Sequence, residues 1–382
     1  GIATGHHGLS GTQPIRRGPV GSRASGGDNP GIAAGSRAAP VHDENIHRRN
    51  AMKLASCLAG ITLAICATLA APPAAAQEVL RVAHAYKPGT SVAIYWDELA
   101  KRGSERAGGE IRLRVHHSGQ LGGDEQVFRG MKLGTIHFGS GAAANEGVVT
   151  DAYFWLDLPY VLKSRESAVK VFADPMVDTY LRNKLRNDAG TVLLGHIEVG
   201  GFRLLINNKR PLRTPDDVKG LKFRALSNPI DIALLKSWNF TATPLPWSDT
   251  YPSLEQGMID GLNLQAAAIN AFGFQELVKY GTETRTLMTF HVAQVSAKTF
   301  EALDPQLQKV IRDASAEALK IANAADREDE KTVLDTISKK VAVYRPTEAE
   351  MKLWEAPARA LWPQFTEKMD KNLLARIAAV QQ

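Results

Sequence analysis

The sequence predicts an α/β protein of two lobes, and three features point there. Short apolar strands alternate with helical stretches after residue 77, the pattern of packed α/β layers. A helical stretch that begins at Asp304-Pro305 meets no further Gly or Pro until beyond Lys340. At 1.5 Å per residue it spans about 54 Å, longer than one lobe is wide, so it is expected to form a spine across both. Finally, 382 residues are enough for two domains of ordinary size.

In chain order, residues 1–51 come first, with ten Gly, four Pro and no apolar periodicity, so they cannot bury a core. They are expected to be disordered. With no Met at position 1 and an export signal opening at Met52, they read as translation from upstream of the true start. Residues 52–76 carry Met52-Lys53, an apolar run from Leu54 to Ala71, and Pro72-Pro73-Ala74-Ala75-Ala76. A basic residue, an apolar stretch and a small-residue step make a signal peptide, with cleavage expected after Ala76 and a periplasmic destination. A membrane anchor is the competing reading, since the run is about long enough to span a bilayer. Its richness in Ala and its small-residue ending favour cleavage. Leu54-Ala55-Ser56-Cys57 looks like a lipidation box but lacks an apolar stretch ahead of it.

In the remainder, Val79–Ala83 reads as a strand, Ser91–Ala107 as a helix ending at Gly108-Gly109, and Ile111–Val115 as a half-buried strand of period two. Asp124–Leu133 reads as a short helix and Thr135–Phe138 as the next strand. Thr191–Leu194, Phe202–Ile206 and Leu221–Arg224 are further strands. Thr214-Pro215-Asp216-Asp217 is an N-cap with proline and acids in the first turn. The long stretch after Pro305 is not a coiled coil, because Ala318, Ala322, Ala324 and Ala325 break any heptad.

Charge and motifs narrow the function. The formal net charge is +6, but seven of the 46 Lys/Arg and only three of the 40 Asp/Glu fall in residues 1–76. That leaves 39 basic against 37 acidic residues, a balance with no electrostatic reason to bind nucleic acid. Both cysteines, Cys57 and Cys66, also lie there, so the body has no thiol for a disulfide, nucleophile or metal. No Gly-x-Ser-x-Gly, P-loop, His-Glu-x-x-His or dinucleotide fingerprint occurs, which argues against an enzyme. His116-His117 are adjacent on a strand and point to opposite faces, so no metal site is expected from them. Gly139-Ser140-Gly141 reads as a close-packed crossing rather than a phosphate loop.

An ordered run of motifs carries a resemblance. Ser118-Gly119-Gln120-Leu121-Gly122 and Leu133-Gly134-Thr135-Ile136 are followed by Asp157-Leu158-Pro159-Tyr160 and Gly201-Phe202-Arg203. Asn208-Lys209-Arg210-Pro211, Thr214-Pro215-Asp216-Asp217 and Gly220-Leu221-Lys222-Phe223-Arg224 come next. Pro244 to Tyr251 and Gly257-Met258-Ile259-Asp260-Gly261 complete the series. In this order and spacing the chain resembles the DctP-type solute-binding proteins of tripartite ATP-independent periplasmic (TRAP) transporters over nearly all of 77–382.

The resemblance implies a type II-like periplasmic-binding-protein fold, two α/β lobes joined by crossing strands and closing on one solute. It places lobe I at 77–200 plus 289–328 and lobe II at 201–288 plus 329–382. It further implies a small organic acid as ligand, TRAP membrane permease subunits as partners, no cofactor and no catalysis. A receptor feeding a sensor protein, or an enzyme on the same scaffold, are the alternatives. By the same resemblance Arg224 pairs bidentately with the ligand carboxylate, Arg203 assists, and Trp247 lines the pocket. A guanidinium suits that task, being always charged and shaped as a planar fork. For the two arginines a surface ion pair is the competing reading; for Trp247 it is core packing, and Tyr251 reads as structural. One departure stands out. Where the family places a ligand-bonding asparagine this chain has Leu264, and Asn263 sits one residue early, where strand alternation aims it elsewhere. Leu264 beside Trp247 therefore suggests a monocarboxylate with an apolar or aromatic body, unless Asn263 or Gln265 substitutes.

Overall fold

The structure is a computed structural model that describes residues 78–382. The expectations for the leading segment and the cleaved signal, residues 1–76, lie outside the described residues.

The elements alternate as the apolar pattern dictates. Strand β1 (Glu78–Ala83) leads to helix α1 (Ser91–Arg106), β2 (Ile111–His116), α2 (Asp124–Leu133) and β3 (Phe138–Ala142). Helices α3 (Arg165–Ala173) and α4 (Pro175–Lys184) precede the long strand β4 (Thr191–Asn207). Then come β5 (Lys222–Ala225), α5 (Pro229–Ser237), β6 (Thr241–Pro244), α6 (Trp247–Glu255), β7 (Gly261–Gln265) and α7 (Ala266–Phe272). Strands β8 (Tyr280–Thr282) and β9 (Met288–Ser296), α8 (Ala297–Ala302) and α9 (Pro305–Ser338) follow. Strand β10 (Ala342–Tyr344) and helices α10 (Glu348–Arg359), α11 (Trp362–Thr366) and α12 (Lys371–Val380) complete the chain.

The strands lie in the order β2-β1-β3-β9-β4-β7-β5-β6, with β8 also beside β4 and β10 beside β8. Strands β1, β2 and β3 are mutually parallel, as are β5, β6 and β7, whereas β9 and β4 run antiparallel to their neighbours. The order thus holds two parallel α/β half-sheets, one per lobe, stitched together by β4. Residues Thr191–Glu198 of β4 pair with β9, and Arg203–Asn207 pair with β7. The register breaks between Glu198 and Phe202. There Gly200 and Gly201 take φ of +63° and +68°, the left-handed region that only glycine enters cheaply. The sequence read this pair as the gap between two strands. Both glycines instead form a bulge, and the strand continues through it.

This crossing is fastened to the spine. The 34-residue helix α9 starts at an Asp304 cap that accepts from the Gln306 amide, and it packs against α1, β4 and α7. Its buried stripe of Ala314, Ala318 and Ala322 lets it lie close to β4, and Val333 and Ile337 carry it on towards β10, which pairs with β8. At the bulge, Asp326 of the helix accepts from the Gly200 amide at 2.9 Å, and Arg165 of α3 contacts Glu198, Asp326 and Glu330 together. Arg327 pairs with Glu198 at 2.6 Å, so the buried acids of this knot each face an arginine.

Three expectations shift. Residues 135–137 precede the strand rather than form it, because β3 runs Phe138–Ala142, with Val127 and Phe128 of α2 packed where Cβ atoms at Gly139 and Gly141 would sit. The capped segment at Thr214 is a single turn, Pro215–Val218, closed by a capping box with Asp217. The last helix was grouped with residues 201–288 but packs on α3 and α4, burying Leu373 and Ile377 beside Val177 and Leu181. Arg376 pairs with Asp174 at 2.6 Å, and the Gln381 amide reaches the Val161 carbonyl.

Candidate ligand-binding site

The C-terminal ends of the parallel strands meet in a cavity with about 380 Å³ of atom-free space, counted with its mouth. In open α/β sheets this is the edge at which ligands collect. Tyr86 follows β1, Ala142 ends β3, Arg224 comes from β5 and Leu226 follows it, and Asn263, Leu264 and Gln265 come from β7. Arg203 of β4 and Thr289 and His291 of β9 form the floor, with Asp124 and Asn145 from the first half-sheet and Trp247 from the second completing the lining. All five residues singled out in the sequence, Arg203, Arg224, Trp247, Asn263 and Leu264, line this one cavity.

The two guanidiniums are held from behind. Each is 6% exposed, and each makes a single hydrogen bond among the described residues, through Nε. Arg203 donates to Thr289 Oγ1 at 2.8 Å, and Arg224 to the Leu245 carbonyl at 3.1 Å. The nearest acid to Arg203 is Asp231 Oδ1, 4.0 Å from Nη1. Arg224 Nη2 is buried without a partner. Burial pulls the Arg224 guanidinium down to about 10 and Asp231 partly counters it, so the group stays cationic at neutral pH. Burial likewise lifts Asp231 above the usual carboxylate range, opposed by Arg203. Two cations thus line the cavity, Arg224 with Nη2 unspent and Arg203 with no counter-charge nearer than Asp231 at 4.0 Å. A buried charge in that condition is costly unless an anion answers it.

A relay ties the floor together. Thr289 Oγ1 donates to Gln265 Oε1 at 3.3 Å, and Gln265 Nε2 donates to the Tyr86 hydroxyl at 3.2 Å. Tyr86 also meets His291 and Phe272 edge-on, with ring centroids 4.8 and 4.9 Å apart. Trp247, half-buried, stands edge-on to Phe272 at 4.8 Å and 5.9 Å from the Arg224 guanidinium carbon. One wall of the cavity is therefore aromatic and apolar, with Leu264 in it.

Strand alternation directed Asn263 away from the pocket, yet Asn263, Leu264 and Gln265 all line the cavity. The cavity caps the end of β7, where side chains from both faces of a strand reach it. Both polar atoms of the Asn263 side chain are buried without partners, as are Asp124 Oδ1 and His291 Nδ1. Several polar groups of one lining thus await a polar guest. Tyr86, Asp124, Asn145, Thr289 and His291 were not picked from the sequence. The signal available was the pair Thr289 and His291, two positions apart on one face of a largely apolar strand.

Among the described residues no group of three or more His, Cys, Asp or Glu is placed to hold a metal ion, and no helix is long and apolar enough to cross a membrane. His117 meets His84 at 3.1 Å and Asp97 at 3.2 Å, while burial drives the His84 imidazole down to about 3.

Comparison with known proteins agrees with this architecture. A solute-binding protein from Verminephrobacter eiseniae is 27% identical over 312 residues, 81% of this chain and 91% of its own. A TRAP periplasmic solute-binding protein from Sulfurospirillum deleyianum, solved with bound succinate, superposes with a TM-score of 0.75 at 24% identity, covering 80% of this chain and 99% of that one. One from Haemophilus influenzae with bound L-gulonate gives 0.75 at 24% identity, covering 80% and 100%. These relatives are binding proteins of transport systems. Residues 82–369 match the family described as bacterial extracellular solute-binding protein, family 7, and the chain belongs to this DctP family of TRAP transporter solute-binding proteins.

Proposed function

We propose that this chain captures a small monocarboxylate between its lobes and hands it to TRAP membrane permease subunits, after export by a signal peptide cut after Ala76. The observation that carries the reading is the pair of buried guanidiniums lining one cavity, Arg203 and Arg224, each hydrogen-bonded through Nε and Arg224 with Nη2 unpartnered. Two planar forks so placed match a carboxylate in geometry and in charge. Arg224 is the anchor and Arg203 its helper, while Asn263 supplies a further donor and acceptor. Leu264 and Trp247 offer an apolar wall, which suits a ligand with an apolar or aromatic flank more than a fully hydroxylated one.

Lobe exchange in this reading falls at the β4 bulge and at the start of β9, and contacts from both half-sheets to one ligand favour the closed form. Mass spectrometry of solute retained through native purification, followed by a thermal-shift panel of organic acids, tests it. A ligand at about 100 times its Kd should add about 2.7 kcal/mol of stability. Failure of every carboxylate to stabilise the protein would remove the proposal.

A further inference from the structure

Beside the cavity lies a line of imidazoles that the capture of an acid does not itself use. His84 follows β1 and is buried, and Tyr86, two residues on, lines the cavity. The Tyr86 amide donates to His84 Nδ1 at 3.2 Å. His84 Nε2 lies 3.1 Å from His117 Nδ1, and His117 Nε2 lies 3.2 Å from Oδ1 of Asp97 on α1. The turn after β2 brings His117 to His84. Its Ser118 amide donates to the Tyr86 carbonyl at 2.9 Å and its Gly119 amide to the His84 carbonyl at 3.0 Å. Ser118 takes a φ of +55° in this turn, a left-handed conformation that a residue other than glycine keeps only where its surroundings hold it.

Each proton in this line has one place. A ring nitrogen that accepts from an amide carries no hydrogen, so neutral His84 bears its proton on Nε2 and donates it to His117 Nδ1. Neutral His117 then bears its own proton on Nε2 and donates to Asp97. Burial, with His117 and His291 adding to it, keeps His84 neutral. The titratable groups facing His117 are His84 from the end of β1 and Asp97 from α1, with Glu98 beyond Asp97 and His291 of β9 beyond His84. A proton added to His117 Nδ1 would set two N–H groups head to head across 3.1 Å. Shifting the His84 proton to Nδ1, or turning its ring, gives up the bond from the Tyr86 amide. Parting the two rings dissolves the line.

We propose that Asp97, His117 and His84 are positioning residues for ligand capture, holding Tyr86 at the cavity while His117 is neutral and releasing it when His117 takes up a proton. This rests on the binding reading at one point, Tyr86, whose hydroxyl accepts from Gln265 Nε2 within the same lining.

Nuclear magnetic resonance on the exported protein without any acid added tests the idea. Long-range proton–nitrogen spectra at about pH 8 should show both rings as the Nε2–H tautomer, and titration to about pH 5 covers the range in which imidazoles gain charge. The Tyr86 backbone amide and the Gln265 side-chain amide should shift with the same midpoint as His117. His117→Asn offers a carboxamide oxygen in place of Nδ1 and cannot titrate. It should keep the Tyr86 amide where the wild type has it at the alkaline end, and lose the shift. His117→Ala should displace that amide from the outset, whereas a role confined to packing would let the two variants behave alike. An Nδ1–H tautomer at His84, a His117 that stays neutral throughout, or Tyr86 and Gln265 signals that do not follow it overturns the inference and leaves the carboxylate reading standing. Failure of every organic acid to bind would strike that reading instead and leave the proton line as measured. Should His117→Asn unfold, the wild-type titration decides alone.

Discussion

At the scale of single residues, the decisive fact about Arg224 is that its outer nitrogen is buried and unpaired. We expect Arg224→Ala to lose about 2–5 kcal/mol of ligand binding, measured by calorimetry, as truncation of a desolvated charge pair does. Arg224→Lys should bind poorly too, because a point charge cannot reproduce the fork. A second expectation concerns Glu146, which accepts from Gln294 Nε2 at 2.5 Å and is pushed up to about 8 by burial. Asp157, bonded to Asn228, is pushed up to about 7 for the same reason. A carboxyl whose folded pKa exceeds its unfolded value stabilises fully below the unfolded pKa and progressively less as pH rises through the folded one. Stability should therefore fall between about pH 4.5 and 8, by up to about 1.4 kcal/mol per pH unit for each such group. Glu146→Gln should flatten that profile in urea titrations across the window, and an unaltered slope would show that the group does not titrate there.

At the scale of elements, β4 is the part on which closure depends. A Cβ at Gly200 would lie 2.6 Å from the Ala267 Cβ at a φ of +63°. Gly200→Ala should therefore cost about 1–3 kcal/mol by unfolding and slow ligand association, in stopped-flow fluorescence, more than dissociation. Arg165→Ala strips the shared cation from Glu198, Asp326 and Glu330, and by leaving buried acids exposed to one another should destabilise by about 3–5 kcal/mol. How much of this was legible varies with the signal. The spine was plain because an unbroken run without Gly or Pro has one simple reading. The crossing strand was hidden because Gly200-Gly201 looks the same in a linear pattern whether it ends a strand or bulges it. Asp124 was hidden differently. An acid at a helix start is ordinary for the helix dipole, so its second role in the cavity left no separate mark. Arg203 and Arg224 were found through the ordered motifs around them; neither spacing nor periodicity would have joined residues 21 positions apart on separate strands.

At the scale of the whole molecule, the proposed ligand would bridge two half-sheets. Saturation with a cognate acid should lower the radius of gyration in small-angle scattering, and Arg224→Ala should abolish that change at the same acid concentration. An identical scattering curve with and without bound acid would mean that closure does not accompany capture. The cavity residues divide between the halves, with Tyr86, Asp124, Ala142 and Asn145 from one and Arg224, Leu226, Trp247 and Asn263 from the other. The cationic fork comes from one half and the carboxylate of Asp124 from the other, so the lining is complete only where the two halves meet.

The crossing strand and the spine also bear on what kind of movement is available. Strand β4 passes from one half-sheet to the other, and α9 packs along it, fastened at Asp326 to the bulge. A hydrogen-bonded ribbon and a rod resist sliding and twisting more than bending, as a leaf hinge does. Under the proposed capture the molecule would then vary chiefly one angle, and a membrane partner that gauged that angle would learn whether the cleft is loaded without touching the acid inside.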